Sequence, residues 1–153
     1  YDQAININPN FYEVYQRRGS LFISTDLSDN VKGLGNLYKA LSLSSIEDRP
    51  GLLRNIGGTL NSLGFFDLAR QYFKEAYDSD GNRSAYLWRQ VTVEFNLQNH
   101  EEALQLVREA FQLDTMRLIN LHFFIYTQPM HIEEAYKTAM KVIKRSENTG
   151  VPY

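Results

Sequence analysis

Cysteine is absent from the 153 residues, so disulfide bonds and thiolate chemistry are excluded, while the compartment stays open. Proline is scarce at four residues and tryptophan occurs once, although ten Tyr and nine Phe supply many medium-to-large aromatic side chains. No long basic run exists and the net charge is -2, so a nucleic-acid backbone meets little general attraction. No apolar run approaches the roughly 20 residues that span a bilayer. Alternating strand patterns are also missing. Phe123, Phe124 and Ile125 could imitate one, but their flanks are helical in pattern.

What is present is helical periodicity. The stretch Leu53 to Asp80 holds two apolar runs separated by Gly64: Leu53, Ile56, Gly57 and Leu60, then Ala69, Phe73 and Ala76. That spacing predicts two antiparallel helices, with small residues where the helices approach each other. The same hairpin recurs along the chain. Tyr1 to Pro9 reads as the end of a helix whose beginning is missing, with Pro9 as its stop. A helix is expected over Tyr12 to Ser24, with Tyr15, Gly19 and Phe22 along one stripe. Another is expected over Asp29 to Ser44, with Val31, Leu34, Leu37, Ala40 and Leu41 inward. Gly33 and Gly35 weaken it by about 1 kcal/mol each, a cost that close helix packing would justify. Helices over Ser84 to Leu97 and from Asn99, where Glu102 completes a capping box, form the next pair. Thr115 to Thr127 and Ile132 to Glu147 form the last.

The repeat has a measurable period. Ala69 to Ala103, Phe73 to Val107 and Ala76 to Ala110 are each 34 residues, while Ala4 to Ala40 and Ala40 to Ala76 are 36. A 34-residue, two-helix unit resembles the tetratricopeptide repeat. The resemblance is carried by Leu53-x2-Ile56-Gly57-x2-Leu60, Gly64 and Ala69-x3-Phe73-x2-Ala76. It is carried also by Tyr15-x2-Arg18-Gly19-x2-Phe22, where Arg18 stands in place of the usual Leu. The third unit offers two phases. Counting 34 residues forward places Leu87 and Glu94 inward; starting at Trp88 places Trp88, Val91, Thr92 and Phe95 inward. Burying Glu94 without a partner is costly, so the Trp88 phase is the expectation.

The resemblance implies an all-α, right-handed solenoid of stacked antiparallel helix pairs. A single array is expected over residues 1–147: a truncated repeat at 1–10, hairpins at 12–45, 50–80, 84–114 and 115–147, and a tail at 148–153. Because the chain starts at Tyr1 within a repeat, it reads as a fragment or processed product of a larger protein. The implied function is protein–protein interaction or scaffolding, with a peptide or protein segment held in the concave groove. Groove positions projected from the family are Glu13, Gln16, Arg17, Ser20, Arg54, Asn55, Asn61, Arg89 and Asn96. Arg17, Arg54 and Arg89 point to an acidic segment as ligand, since guanidinium offers paired donors to a carboxylate. The family's clamp for a C-terminal carboxylate is not expected, because Gln16 and Ser20 replace its Lys and Asn, although Asn55 matches.

Other chemistry finds little support. His100, His122 and His131 lack metal-ligand spacing, and Glu101-Glu102 and Glu133-Glu134 sit at helix starts where carboxylates complement the dipole. Asp78-Ser79-Asp80 resembles a calcium loop, but Arg83 and Arg89 stand at its required Gly and Glu. No catalytic residue, metal or cofactor is therefore expected, nor a nucleic-acid or membrane partner. The alternative from another class is an RNA-reading helical repeat, which the net charge and Glu13 in the groove disfavour. Leu118 to Tyr126 is apolar on nearly all sides, fitting either burial between repeats or an interface. Oligomeric state is left open, and so is location, with the cytoplasm favoured.

Overall fold

A computed structural model describes residues 1–24 and 29–113 together with Glu133, Tyr136, Lys137, Met140 and Lys144, the last five at helical positions. Apart from those five residues, the expected hairpin at 115–147 lies outside the residues described, as do the apolar stretch 118–126, His122, His131 and the tail at 148–153. Over residues 1–113 the described helices are α1 (Asp2–Ile7), α2 (Tyr12–Ser24), α3 (Asn30–Leu43), α4 (Arg49–Ser62), α5 (Phe66–Asp80), α6 (Arg83–Asn96) and α7 (His100–Leu113). There is no strand among the described residues. They fall into two compact units, Tyr1–Asn82 and Arg83–Tyr153.

In the first unit α2 packs on α3, α3 on α4, and α4 on α5. Local chemistry marks the boundaries. Asp29 caps α3 by accepting the Lys32 amide at 2.9 Å, which holds the carboxyl below its usual range. Pro50 sits in the first turn of α4, where its missing N–H costs nothing. Gly81 ends α5 in the left-handed conformation at φ 64°.

The core follows the predicted periodicity. Leu53, Ile56, Leu60, Ala69, Phe73 and Ala76 are all buried, as are Leu37 and Ala40. Each large aliphatic side chain removed from water in this way contributes about 1.5–3 kcal/mol. The Phe73 ring lies directly over Gly57: a Cβ at Gly57 would stand 2.5 Å from its Cε1 atom. Gly33 is needed for the same reason, because a Cβ there would meet Ile23 at 2.6 Å. Gly35 faces open space, so close packing explains only one of the two α3 glycines. Val31, expected inward, is 80% exposed. Arg18 keeps its place in the pattern through polar contacts, donating to Asp2 at 2.6 Å and to Asn36 Oδ1 at 2.7 Å.

The second unit corrects the predicted phase. Leu87 is fully buried and Glu94 is 6% exposed, whereas Trp88, Thr92 and Phe95 are only half-buried. The 34-residue count therefore holds, and Leu53 and Leu60 correspond to Leu87 and Glu94. The expected penalty at Glu94 is met by a partner: Asn99 donates its side-chain amide to Glu94 Oε2 at 2.9 Å. Val91, Leu104 and Val107 form one buried cluster in this unit, with Leu106 packed against it. The turns also repeat. Phe65 N–H donates to Leu60 O and Asn99 N–H to Glu94 O, both at 2.9 Å.

Candidate functional site

Four of the projected groove residues come together. Glu13, Gln16, Arg17 and Ser20 line an open depression of 480 Å³ on α2, completed by Tyr1, Leu21 and Ser24. Helix geometry explains the grouping: 13, 17, 20, 21 and 24 are separated by three or four residues, so their side chains share one face. Tyr1, Leu21 and Ser24 were missed by projection from the family, although Leu21 and Ser24 stand one turn beyond Arg17 and Ser20. Tyr1 and Leu21 add apolar surface, at 54% and 47% exposure.

Arg17 is exposed and makes no hydrogen bond or ion pair with any described residue. Its guanidinium is thus available to an acidic group at no intramolecular cost. Arg54 differs. It is ion-paired with Asp80 across the α4–α5 hairpin, with side chains only 20% and 25% exposed. The two arginines therefore do not offer equal sites. Asn55 is exposed on α4, and its carbonyl accepts the Thr59 hydroxyl at 2.9 Å. The Asn61 carbonyl accepts the Gly64 amide at 3.1 Å in the turn that closes α4. In the second unit, half-buried Arg89 donates to the Ala85 carbonyl at 3.1 Å, and Asn96 is the exposed last residue of α6.

A second depression of 430 Å³, between α2 and α3, contains Arg18, Lys32 and Lys39 beside Tyr15 and Phe22. Its charge is partly neutralised within the chain. Arg18 pairs with Asp2 at 2.6 Å and Lys32 with Asp29 at 2.9 Å. Asp78 and Asp80, whose calcium-loop pattern lacks the required Gly and Glu, belong to α5 and pair with Lys74 and Arg54. Among the described residues there is no cluster of three metal-ligating side chains, and no helix is long and apolar enough to cross a membrane. His100 packs edge-on against Phe95 at 5.5 Å between ring centroids.

No protein-family model matches the chain, and no curated protein matches it. Among solved structures it is similar to the crystal structure of MamA, with a TM-score of 0.72 at 14% sequence identity, over 98% of this chain and 86% of that one. The likeness shows the fold class, an all-helical repeat of the tetratricopeptide-like solenoid kind.

Proposed function

We propose that this chain is a tetratricopeptide-family interaction module that binds a peptide or protein segment along α2. The observation that carries the reading is the depression formed by Glu13, Gln16, Arg17 and Ser20, with Arg17 unengaged by any described residue. An acidic side chain of the ligand pairs with Arg17. Gln16 and Ser20 supply neutral donors and acceptors beside it, which fix orientation rather than add charge. Leu21 and Tyr1 offer the apolar contact that a purely polar surface lacks. Arg54 belongs to the scaffold in this reading, since a ligand would have to displace Asp80 to reach it.

The test is a titration with fluorescently labelled acidic peptides and with single-stranded RNA. Arg17→Glu is expected to weaken peptide binding by about tenfold, which corresponds to about 1.4 kcal/mol. Arg54→Glu, which sets a carboxylate against Asp80, is expected to lower the melting temperature instead. Salt-sensitive RNA binding with no peptide binding overturns the proposal in favour of an RNA-reading repeat.

A further inference from the structure

Tyr38 on α3 and Tyr72 on α5 meet between consecutive hairpins of the first unit. The Tyr72 hydroxyl donates to the Tyr38 hydroxyl at 3.1 Å, and the two ring centroids stand 6.1 Å apart at an angle of 58°. Helices α3 and α5 are the second members of successive pairs, so this contact ties one hairpin to the next without passing through α4. Tyr38 is 39% exposed, whereas Tyr72 is half-buried. One phenol faces solvent and the other stands behind it.

Two phenols held oxygen to oxygen have a chemistry that neither has alone. Loss of one electron and the phenolic proton turns a tyrosine into a phenoxyl radical, with spin density on the Cε carbons that flank the oxygen. Tyr38 is open to an oxidant in solvent, and its oxygen already accepts the Tyr72 hydrogen bond. A Tyr38 radical therefore takes the hydroxyl hydrogen atom of Tyr72 and becomes a phenol again, ready for a second oxidation. Both rings reach the radical state through the one that solvent touches. The chain has no cysteine, so no thiol of its own returns a hydrogen atom to either radical.

We propose that Tyr38 and Tyr72 form an oxidative cross-linking site, where a one-electron oxidant of the haem-peroxidase class, fed by hydrogen peroxide, joins the two rings as dityrosine. A Cε carbon of Tyr38 bonds to a Cε carbon of Tyr72, and the hydrogen on each of these carbons moves to its ring oxygen to restore the phenol. Two electrons and two protons leave the pair; the peroxide takes them up and becomes two waters. Tyr38, exposed at the surface, has the freedom to turn its ring toward its neighbour. The new bond closes a 34-residue interval and restricts the unfolded chain as a disulfide does. It supplies a covalent tie between hairpins in a chain that has no cysteine to make one.

The experiment treats the whole chain, in dilute solution, with a haem peroxidase and limiting hydrogen peroxide. The expected product is a monomer that has lost two hydrogen atoms and shows dityrosine fluorescence. Trypsin should release from it a linked pair of peptides covering residues 33–39 and 71–74, which hold Tyr38 and Tyr72. Tyr38→Phe and Tyr72→Phe, each first shown by circular dichroism to be folded, should each abolish the linked pair and most of the monomer's fluorescence. Digesting the chain before oxidation should abolish the pair as well, because the fold brings the two rings together. The linked monomer, separated from unlinked chain, should melt at a higher temperature than the parent. Coupling of other tyrosines while 33–39 and 71–74 stay unlinked overturns the proposal, and so does equal linkage in predigested chain. Dityrosine confined to chain dimers also overturns it, since the phenols then react outward rather than with each other. A linked monomer that melts no higher than the parent overturns the stapling role.

Discussion

Asn99 reaches back across the α6–α7 turn and donates its amide to the Glu94 carboxylate at 2.9 Å. This contact allows a carboxylate to stand where the preceding hairpin buries Leu60. Removing it with Asn99→Ala leaves a buried carboxylate short of a donor. A loss of about 1–3 kcal/mol is expected, measured by chemical denaturation. A variant as stable as the parent would mean that Glu94 draws its compensation elsewhere.

Gly64 and Gln98 occupy the same place in successive hairpins, and both are left-handed, at φ 85° and 63°. Glycine adopts this conformation freely, whereas a side chain costs about 1–2 kcal/mol. Gln98→Gly is therefore expected to stabilise the second unit by about 0.5–1 kcal/mol, after the greater freedom of the unfolded chain is deducted. Gly64→Ala should destabilise the first unit by a similar or larger amount. Thermal melts of the two variants, moving in opposite directions, provide the check.

Two helical glycines should respond in opposite senses to alanine. At Gly57 a methyl group collides with the Phe73 ring, which is itself only 2% exposed and cannot turn away. Gly57→Ala is expected to cost about 1–3 kcal/mol through overpacking. Gly35 has nothing near its would-be Cβ, so Gly35→Ala should gain up to about 1 kcal/mol from helix propensity. Equal effects at both positions would contradict the packing described for α4 on α5.

Partial burial pushes the Tyr72 phenol up to about 12, assisted by the hydrogen bond it donates to Tyr38 at 3.1 Å. A group held above its unfolded value of about 10 stabilises the fold fully below that value. The contribution is lost as the pH rises through the folded value of about 12. Tyr12 is raised to about 12 as well, so alkaline titration of phenolate absorbance should show two late-ionising tyrosines in the parent and one in Tyr72→Phe. The variant should also lose less stability than the parent between about pH 10 and pH 12. A parent in which every tyrosine ionises near 10 would contradict this.

Several elements were legible in the residues because the signal was periodic and local. Helix α2 runs over Tyr12–Ser24 as expected, and the repeat-pattern residues Leu53, Ile56, Gly57, Leu60, Ala69, Phe73 and Ala76 are all buried. The phase of α6 was not legible. The aromatic Trp88 and Phe95 suggested one face, and the cost of a buried Glu94 counted against the other. The partner that removes that cost comes from the following turn, so local patterning could not supply it. Val31 failed for a related reason: helical spacing assigns a stripe but not how far a neighbouring helix extends over it.

Over residues 1–113 the sequence by itself determined the helices, their pairing and the 34-residue interval, since these follow from apolar spacing, small residues and turn chemistry within a few tens of residues. Only the tertiary structure decided which polar groups are already engaged. Arg17, Arg54 and Arg89 look alike along the chain. Folding places Arg54 against Asp80 and Arg89 against the Ala85 carbonyl, but gathers Arg17 with Gln16, Ser20 and Leu21 in one depression. The physical reason is that a guanidinium's availability depends on what lies within a few ångströms of it in space, and Arg54 meets its acid 26 residues away.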